Sequence, residues 1–423
     1  MRLKLCDLTL LLVFTSTLNI RFLKNIEGVP SFELMELVAY VILLVIFANF
    51  AIDPPLTINR IRGAYGENRG VFWYFGWTGF ASSIGGLLGS TDALRAFKDL
   101  IPCFVLYLLI LICARDVKEY RAVLFSYYLG AVVNALLGVS QGVIGGPYPV
   151  PPNEGTAFKM DAEGNFVTNV ATGLFTHPNA LAIFMMPIGI YVIAALLFRL
   201  YQGPFTLLLL VSMFPVFIFA MIATYAKGPI AWTLLGLALF LLPNFLKRWR
   251  FSIAICAVIS GVVMMVFLGI EMYEAGNQSL GTIVGRVQLW DEALSVLAEN
   301  PLVLTIGNGF GAMKSASTLH SNFEYPNAHN AFLNQAIFYG LPALILYLWI
   351  LISTFKRLSK FLTLATGVQR GIGLFLYSAL VALSGEYFFE PASEGVVLQS
   401  QFFLIIALSV AISRRQNLEG LGR

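Results

Sequence analysis

The sequence predicts an all-α integral membrane protein of about twelve transmembrane helices, with one large hydrophilic segment that contains an amphipathic helix. Three observations predict it. Of the 423 residues, 58% are hydrophobic and 12% charged, where a soluble domain carries roughly 25% charge. A surface so poor in charge is solvated by lipid. Apolar runs long enough to span recur along the chain, each needing about 20 residues to cross a bilayer. The Lys and Arg residues fall unevenly between those runs, as they do when one side of a membrane retains positive charge.

In chain order, the spans are predicted near 6–23, 34–52, 71–90, 99–114, 122–144, 172–198, 204–225, 229–246, 251–270, 330–354, 371–388 and 397–413. The first is crowded at its end by Arg21 and Lys24. No small-x-small cleavage site follows its apolar run, so it is read as a span and not a signal peptide. With the N-terminus inside, the basic connections holding Arg60, Arg62 and Arg69, then Arg115, Lys118 and Arg121, then Lys247, Arg248 and Arg250, all fall inside. So do Lys356, Arg357, Lys360 and Arg370, and finally Arg414, Arg415 and Arg423. Both termini are therefore expected in the cytoplasm. These basic clusters sit beside helix ends, which makes membrane lipids their expected neighbours and nucleic acid a poor partner. The whole chain, 1–423, reads as one polytopic membrane domain without internal repeats. Cys6, Cys103, Cys113 and Cys256 lie in or beside apolar runs with no CxxC pair, so they are read as small hydrophobes and not as disulfides or zinc ligands.

Two outer segments stand apart. Residues 145–171 contain GGPYPVPPNEG, too rich in turn formers for a regular element. Residues 271–329 form the largest hydrophilic segment. Within it, Val287, Leu289, Leu294, Val296 and Leu297 alternate with polar residues ahead of Pro301, which predicts a helix from about 284 to 299. Such a helix lies readily in the membrane interface.

The outer face should hold few cations, so Arg21, Lys24, Arg95, Lys98, Lys159, Lys227, Arg286 and Lys314 need reasons. Lys227 sits in MIATYAKGPIAW, a very short connection, and Pro229 suits the first turn of the next helix. Charge and helix dipole then add to favour a phosphate; the alternative is a lysine snorkelling to the headgroups. Arg286 at the start of the amphipathic helix opposes the dipole unless an anion binds there. Arg95 and Lys98 are further cations that can meet phosphate. His329, in YPNAHNAFLNQAIFYG at the mouth of the tenth span, exchanges protons near neutrality and can deprotonate a hydroxyl. His177, in GLFTHPNALAIF, reads mainly as a turn or N-terminal cap, and His320 lies in a polar loop. Glu386, Glu390 and Glu394 cluster at the outer end of the eleventh span, placed to bind sugar hydroxyls or a cation, or to neutralise the cations opposite. Without a histidine partner they make no metal pattern. GNGFG at 307–311 matches neither nucleotide-binding glycine pattern and reads as a flexible turn.

In this order the pieces resemble the O-antigen ligase and polymerase superfamily of bacterial surface-glycan assembly. The resemblance covers roughly 170–355. GRVQLWDEALSVLAENPLVLTIGNGFG is similar to the family's run of arginine, tryptophan, proline and spaced glycines. His329-Asn330, nine residues and Gly340 resemble its histidine-asparagine-to-glycine spacing, and GLFTHPNALA its proline-asparagine helix opening. Two departures stand out. Lys227 occupies a position where the family commonly carries arginine, losing the bidentate fork. Ala343 replaces the threonine of the ligase pattern, which leaves ligase and polymerase both open.

The resemblance implies a metal-independent, cofactor-free glycosyltransferase at the periplasmic face of the inner membrane. Its donor would be a polyprenyl-diphosphate-linked glycan, and its acceptor a hydroxyl of lipid A–core or of another glycan. His329 and Arg286 are then the catalytic candidates, and Arg286 with Lys227 the diphosphate contacts. Asn330, His177, Glu386 and Glu390 are the lesser candidates for substrate binding. The chemistry agrees, since a diphosphate leaving group needs cations and a hydroxyl nucleophile needs a base. The competing reading is a polytopic transporter or flippase of lipid-linked glycans. Against it, the polar candidates gather at one face instead of along a path through the bilayer, and no repeat is seen.

Overall fold

The computed structural model describes residues 5–22, 32–52, 54–88, 90–144, 158–160, 166–175, 177–241, 281–307, 309, 327–390 and 395–420. The chain folds as a helical bundle. Its helices are α1 (Leu5–Thr15), α2 (Leu34–Ile52), α3 (Pro54–Glu67), α4 (Arg69–Leu87), α5 (Thr91–Cys113), α6 (Val117–Ile144), α7 (Pro178–Leu197), α8 (Pro204–Ile222) and α9 (Lys227–Leu241). They continue as α10 (Gly281–Glu299), α11 (Pro301–Ile306), α12 (Ala331–Tyr339), α13 (Leu341–Leu364), α14 (Gly367–Glu386) and α15 (Val396–Gly420). Two short antiparallel ribbons accompany them: β1 (Arg21–Phe22) with β2 (Phe32–Glu33), and β3 (Phe158–Met160) with β4 (Phe166–Asn169).

Among the described residues, seven helices are long and apolar enough to cross a membrane: α5, α6, α7, α8, α13, α14 and α15. α1, α2 and α9 supply shorter apolar helices, and the span expected at 251–270 lies outside the described residues. The protein is thus an integral membrane protein of helical build, with several expected spans differing in detail.

The first span is shorter than expected. α1 has 11 residues and stops where Thr15, Ser16 and Thr17 turn their hydroxyls back onto carbonyls of the preceding turn, an alternative to the helical ladder. The tenth expected span, 330–354, is two helices. Gly340 holds φ +84°, a conformation that only glycine adopts freely, and α12 ends there while α13 begins. The connection at 53–68 is α3 and not a loop. Tandem prolines open it and Ala64 is buried, but its apolar residues are too few to stand out in hydropathy. In the segment at 145–171, the GGPYPVPPNEG stretch lies outside the described residues, and β3 pairs with β4 after it.

α15 is the axis of the bundle. It packs against α5, α13, α14 and α7, and its most apolar stretch is entirely buried. α8 is the opposite case. Phe205, Leu208 and Ile222 are exposed on it, the surface of a helix whose solvent is lipid. Cys103 and Cys113 are buried, as small hydrophobes should be, while Cys6 is exposed on α1.

Candidate functional site

The site is assembled where α14 ends, α7, α9 and α12 begin, and α10 passes. Glu390 is its hub. It lies in the turn after α14, which is fixed by backbone bonds from Phe389 and Glu390 to the Glu386 carbonyl at 2.8 and 3.1 Å. Its Oε1 accepts from the Asn179 side-chain amide at 2.6 Å and from the Arg286 guanidinium. Its Oε2 lies 3.9 Å from His329 Nδ1. Three widely separated segments therefore converge on one carboxylate that is nearly closed to solvent.

His329 is held there by its neighbours. Its backbone sits at φ +45°, a left-handed conformation that costs a non-glycine residue on the order of 1 kcal/mol or more and persists only where surroundings enforce it. The enforcement is visible. The His329 N–H donates to Asn327 Oδ1 at 2.8 Å, the Ala328 N–H to Asn334 Oδ1 at 3.0 Å, and the Ala331 N–H to the Tyr387 carbonyl at 2.8 Å. Asn330, one of the lesser binding candidates, caps α12, its Oδ1 accepting from Phe332 and Leu333 N–H at 2.9 and 3.1 Å.

Electrostatics set the charge states. Burial, then the positive field of Arg286, then His177, push the His329 imidazole from 6.5 down to about 4. His177 is also lowered, by desolvation and Arg286, although much of its surface remains open. Burial pushes the Glu390 carboxyl above the usual carboxylate range, and Arg286 and Asn179 pull it back. At neutral pH the His329 imidazole is uncharged, beside an arginine bound to Glu390.

The other expected residues take distinct places. Lys227 opens α9, as expected, and is exposed. Its neighbour Gly228 lies so close to Glu386 that a Cβ there would meet Oε2 at 2.8 Å. The Glu386 carboxyl is thus pressed against the first turn of α9, one residue from Lys227. It is 1% exposed, and its Oε2 finds no hydrogen-bond partner among the described residues. His177 caps α7, with Nδ1 accepting the Asn179 N–H at 3.2 Å. Arg286 is in the second turn of α10, not at its opening, because that helix starts at Gly281. The dipole argument for an external anion therefore weakens, and Glu390 already supplies one counter-charge. Lys98 pairs with the buried Glu36 at 2.9 Å and with Asp99 at 3.3 Å, away from this cluster. Arg95 is exposed on α5. Glu394, His320 and Lys314 lie outside the described residues.

Sequence reading missed Asn179 as a partner of Glu390, and the roles of Asn327 and Asn334. Their spacing in N-x2-N-x3-N around the histidine was the available signal. It also misread Gly307 and Gly309. They are not a flexible turn. Gly307, at φ +72°, lies directly against the Phe338–Tyr339 backbone, and the Gly309 N–H donates to the Phe338 carbonyl at 3.1 Å. Gly340 in turn lies against the Thr305 backbone. The two glycine positions let α11 and the α12–α13 break touch main chain to main chain, and this locks the segment after α10 to the helix that follows His329.

No group of three or more His, Cys, Asp or Glu residues suited to a metal occurs among the described residues. These features define a class: a polytopic helical membrane protein with a neutral histidine, a bound arginine and buried acidic side chains gathered at one end of its bundle. Residues 208–348 match the family described as O-antigen ligase, which supports the likeness of this stretch to the O-antigen ligase and polymerase superfamily. Members of that family transfer glycans. The match runs from α8 into α13, so it contains Lys227, Arg286, His329 and Gly340 and leaves His177, Asn179, Glu386 and Glu390 outside. No curated protein matches the chain.

Proposed function

We propose that the protein transfers a glycan from a polyprenyl-diphosphate carrier to a sugar hydroxyl at the periplasmic face of the bacterial inner membrane. It acts as a ligase when the acceptor is lipid A–core, or as a polymerase when the acceptor is another glycan. The observation that carries this reading is the meeting of Arg286 and His329 on Glu390. In the reaction the acceptor oxygen bonds to the anomeric carbon and the bond from that carbon to the diphosphate oxygen breaks. The acceptor proton passes to His329, and polyprenyl diphosphate leaves.

Each residue then has a physical task. His329 is neutral and able to accept a proton. Glu390, 3.9 Å from Nδ1, stabilises the imidazolium once it forms. Arg286 meets the charge developing on the diphosphate, and Glu390 holds it aimed. A bound diphosphate also cancels part of the positive field that depresses His329, so the donor raises the basicity of its own catalyst. Lys227 adds a second cation at the start of α9. The reading needs no metal, because side-chain cations face the leaving group; a chelator should leave the rate unchanged.

The test uses purified protein and a polyprenyl-diphosphate oligosaccharide, with lipid A–core or with no second acceptor. Label moving to lipid A–core makes it a ligase, and a ladder of longer carrier-linked chains makes it a polymerase. No product in either case, with the lipid crossing the bilayer of a vesicle instead, overturns the transferase reading in favour of a flippase.

A further inference from the structure

Charge gathers at a second place, at the end of the bundle away from Glu390. The 19-residue stretch Val396–Arg414 of α15 covers about 27 Å, close to the hydrocarbon thickness of a bilayer. Val396 follows the site turn in sequence, so Arg414 lies at the opposite membrane boundary. There Arg414 and Arg115 share a cavity of about 280 Å³ with Asn59, Gly63, Leu111 and Ile112. α3, α5 and α15 thus each contribute to it. At about 30 Å³ per water, the space holds a phosphate group together with part of its hydration.

The two acids next to Arg115 bind backbone at the start of α6. Glu119 Oε2 accepts the N–H groups of Arg115 and Asp116, and Asp116 Oδ1 accepts the Glu119 N–H at 2.8 Å. These carboxylates cap the start of α6. Arg115 Nε donates to the Ile112 carbonyl at 3.1 Å, which ties its guanidinium to the end of α5. One arginine at a helix end is ordinary snorkelling. Two from separate segments, the α5–α6 connection and α15, around one cavity that Asn59, Leu111 and Ile112 also line, match a phosphate that borders on apolar chains. We propose that this cavity is a binding site for a phosphate group, either the headgroup of an anionic phospholipid or a free phosphate anion.

The experiment is native mass spectrometry of the full-length protein with phosphatidylglycerol or phosphatidylcholine, backed by thermal stability in inorganic phosphate. Wild-type protein should retain phosphatidylglycerol over phosphatidylcholine. The double variant Arg115→Gln/Arg414→Gln should lose that retention by about tenfold or more, as expected for charge-assisted hydrogen bonds. Should that variant not fold, Gly63→Leu serves. A Cβ at Gly63 meets nothing within 4 Å, so the larger side chain fills the cavity without removing charge and should also release the lipid. Displacement of phosphatidylglycerol by inorganic phosphate, with stabilisation by phosphate alone, assigns the site to the free anion. Retention unaffected by phosphate assigns it to the headgroup. Equal retention of both lipids by the wild type with no stabilisation by phosphate, or retention unchanged in Gly63→Leu, overturns the proposal.

Discussion

Two ion clusters lie toward the same end of the bundle, and they differ in an instructive way. In one, Lys98 of α5 meets the fully buried Glu36 of α2 and its own neighbour Asp99. In the other, Arg286 meets Glu390, with His329 and Asn179 at the same carboxylate. Both bury a carboxylate against a half-open cation. The Lys98 cluster joins helices that run side by side, and Glu36 also receives the Glu33 N–H at 2.7 Å, so its lone pairs serve the fold. The Glu390 cluster joins three segments distant in sequence, carries a strained histidine, and has the open Lys227 at its margin. A buried ion pair is therefore not in itself a site. What sets the Glu390 cluster apart is a histidine and a cation held by one anion, from segments distant in sequence.

Substitutions can break that comparison. His329→Ala should have the largest effect, lowering transfer by roughly 10²–10⁴-fold, as loss of a general base does, with membrane insertion intact; near-normal glycan display by that variant would end the catalytic role. Arg286→Ala should cost about 10²–10³-fold, while Lys98→Ala should spare activity per folded molecule and lower stability by ~3 kcal/mol, since Glu36 is left buried and unpaired. Equal loss of activity from both would erase the distinction between the clusters. Lys227→Arg should keep activity and Lys227→Met lose most of it, because only charge is at stake. Similar rates from the pair would return Lys227 to a headgroup contact. Asn179→Ala should slow transfer by about tenfold by freeing one side of Glu390, and should do so without lowering donor affinity.

The pH profile sharpens the comparison further and carries the smallest effect. His329 has a depressed folded pKa, so its neutral form, and the stability it lends, are fully present above 6.5 and lost as pH falls through about 4. The acid limb of kcat/KM, which reports the free enzyme, should therefore lie near that lower value. The limb of kcat should lie higher, because bound diphosphate offsets the Arg286 field. Coincident limbs would show that donor charge does not reach the histidine.

How much of this was legible in the sequence depends on distance along the chain. Lys227 was legible because a charge inside an apolar run, beside a proline, is a local contradiction. His329 and Arg286 stood out through their motif neighbours. The partnership of Asn179 with Glu390 was not legible, for no local rule joins positions so far apart; Glu390 appeared only as one acid of three. The break at Gly340 had a signal, a glycine followed within two residues by Pro342, but the apolar run on both sides concealed it. α3 was hidden by the reverse fault, a helix too polar to register as a span.

The burial of α15 has a consequence in time. This helix is synthesised after every helix it packs against, following α5 by on the order of half a minute at ribosomal speeds. Until then α5, α7, α13 and α14 must wait in lipid with their inward surfaces unpartnered. Assembly of the bundle is therefore completed from its centre and late, and the turn carrying Glu390 gains its final anchor only when α15 arrives. A ribosome stalled before Val396 should hold a chain that is inserted yet protease-sensitive, with His329 and Arg286 both present and not yet joined.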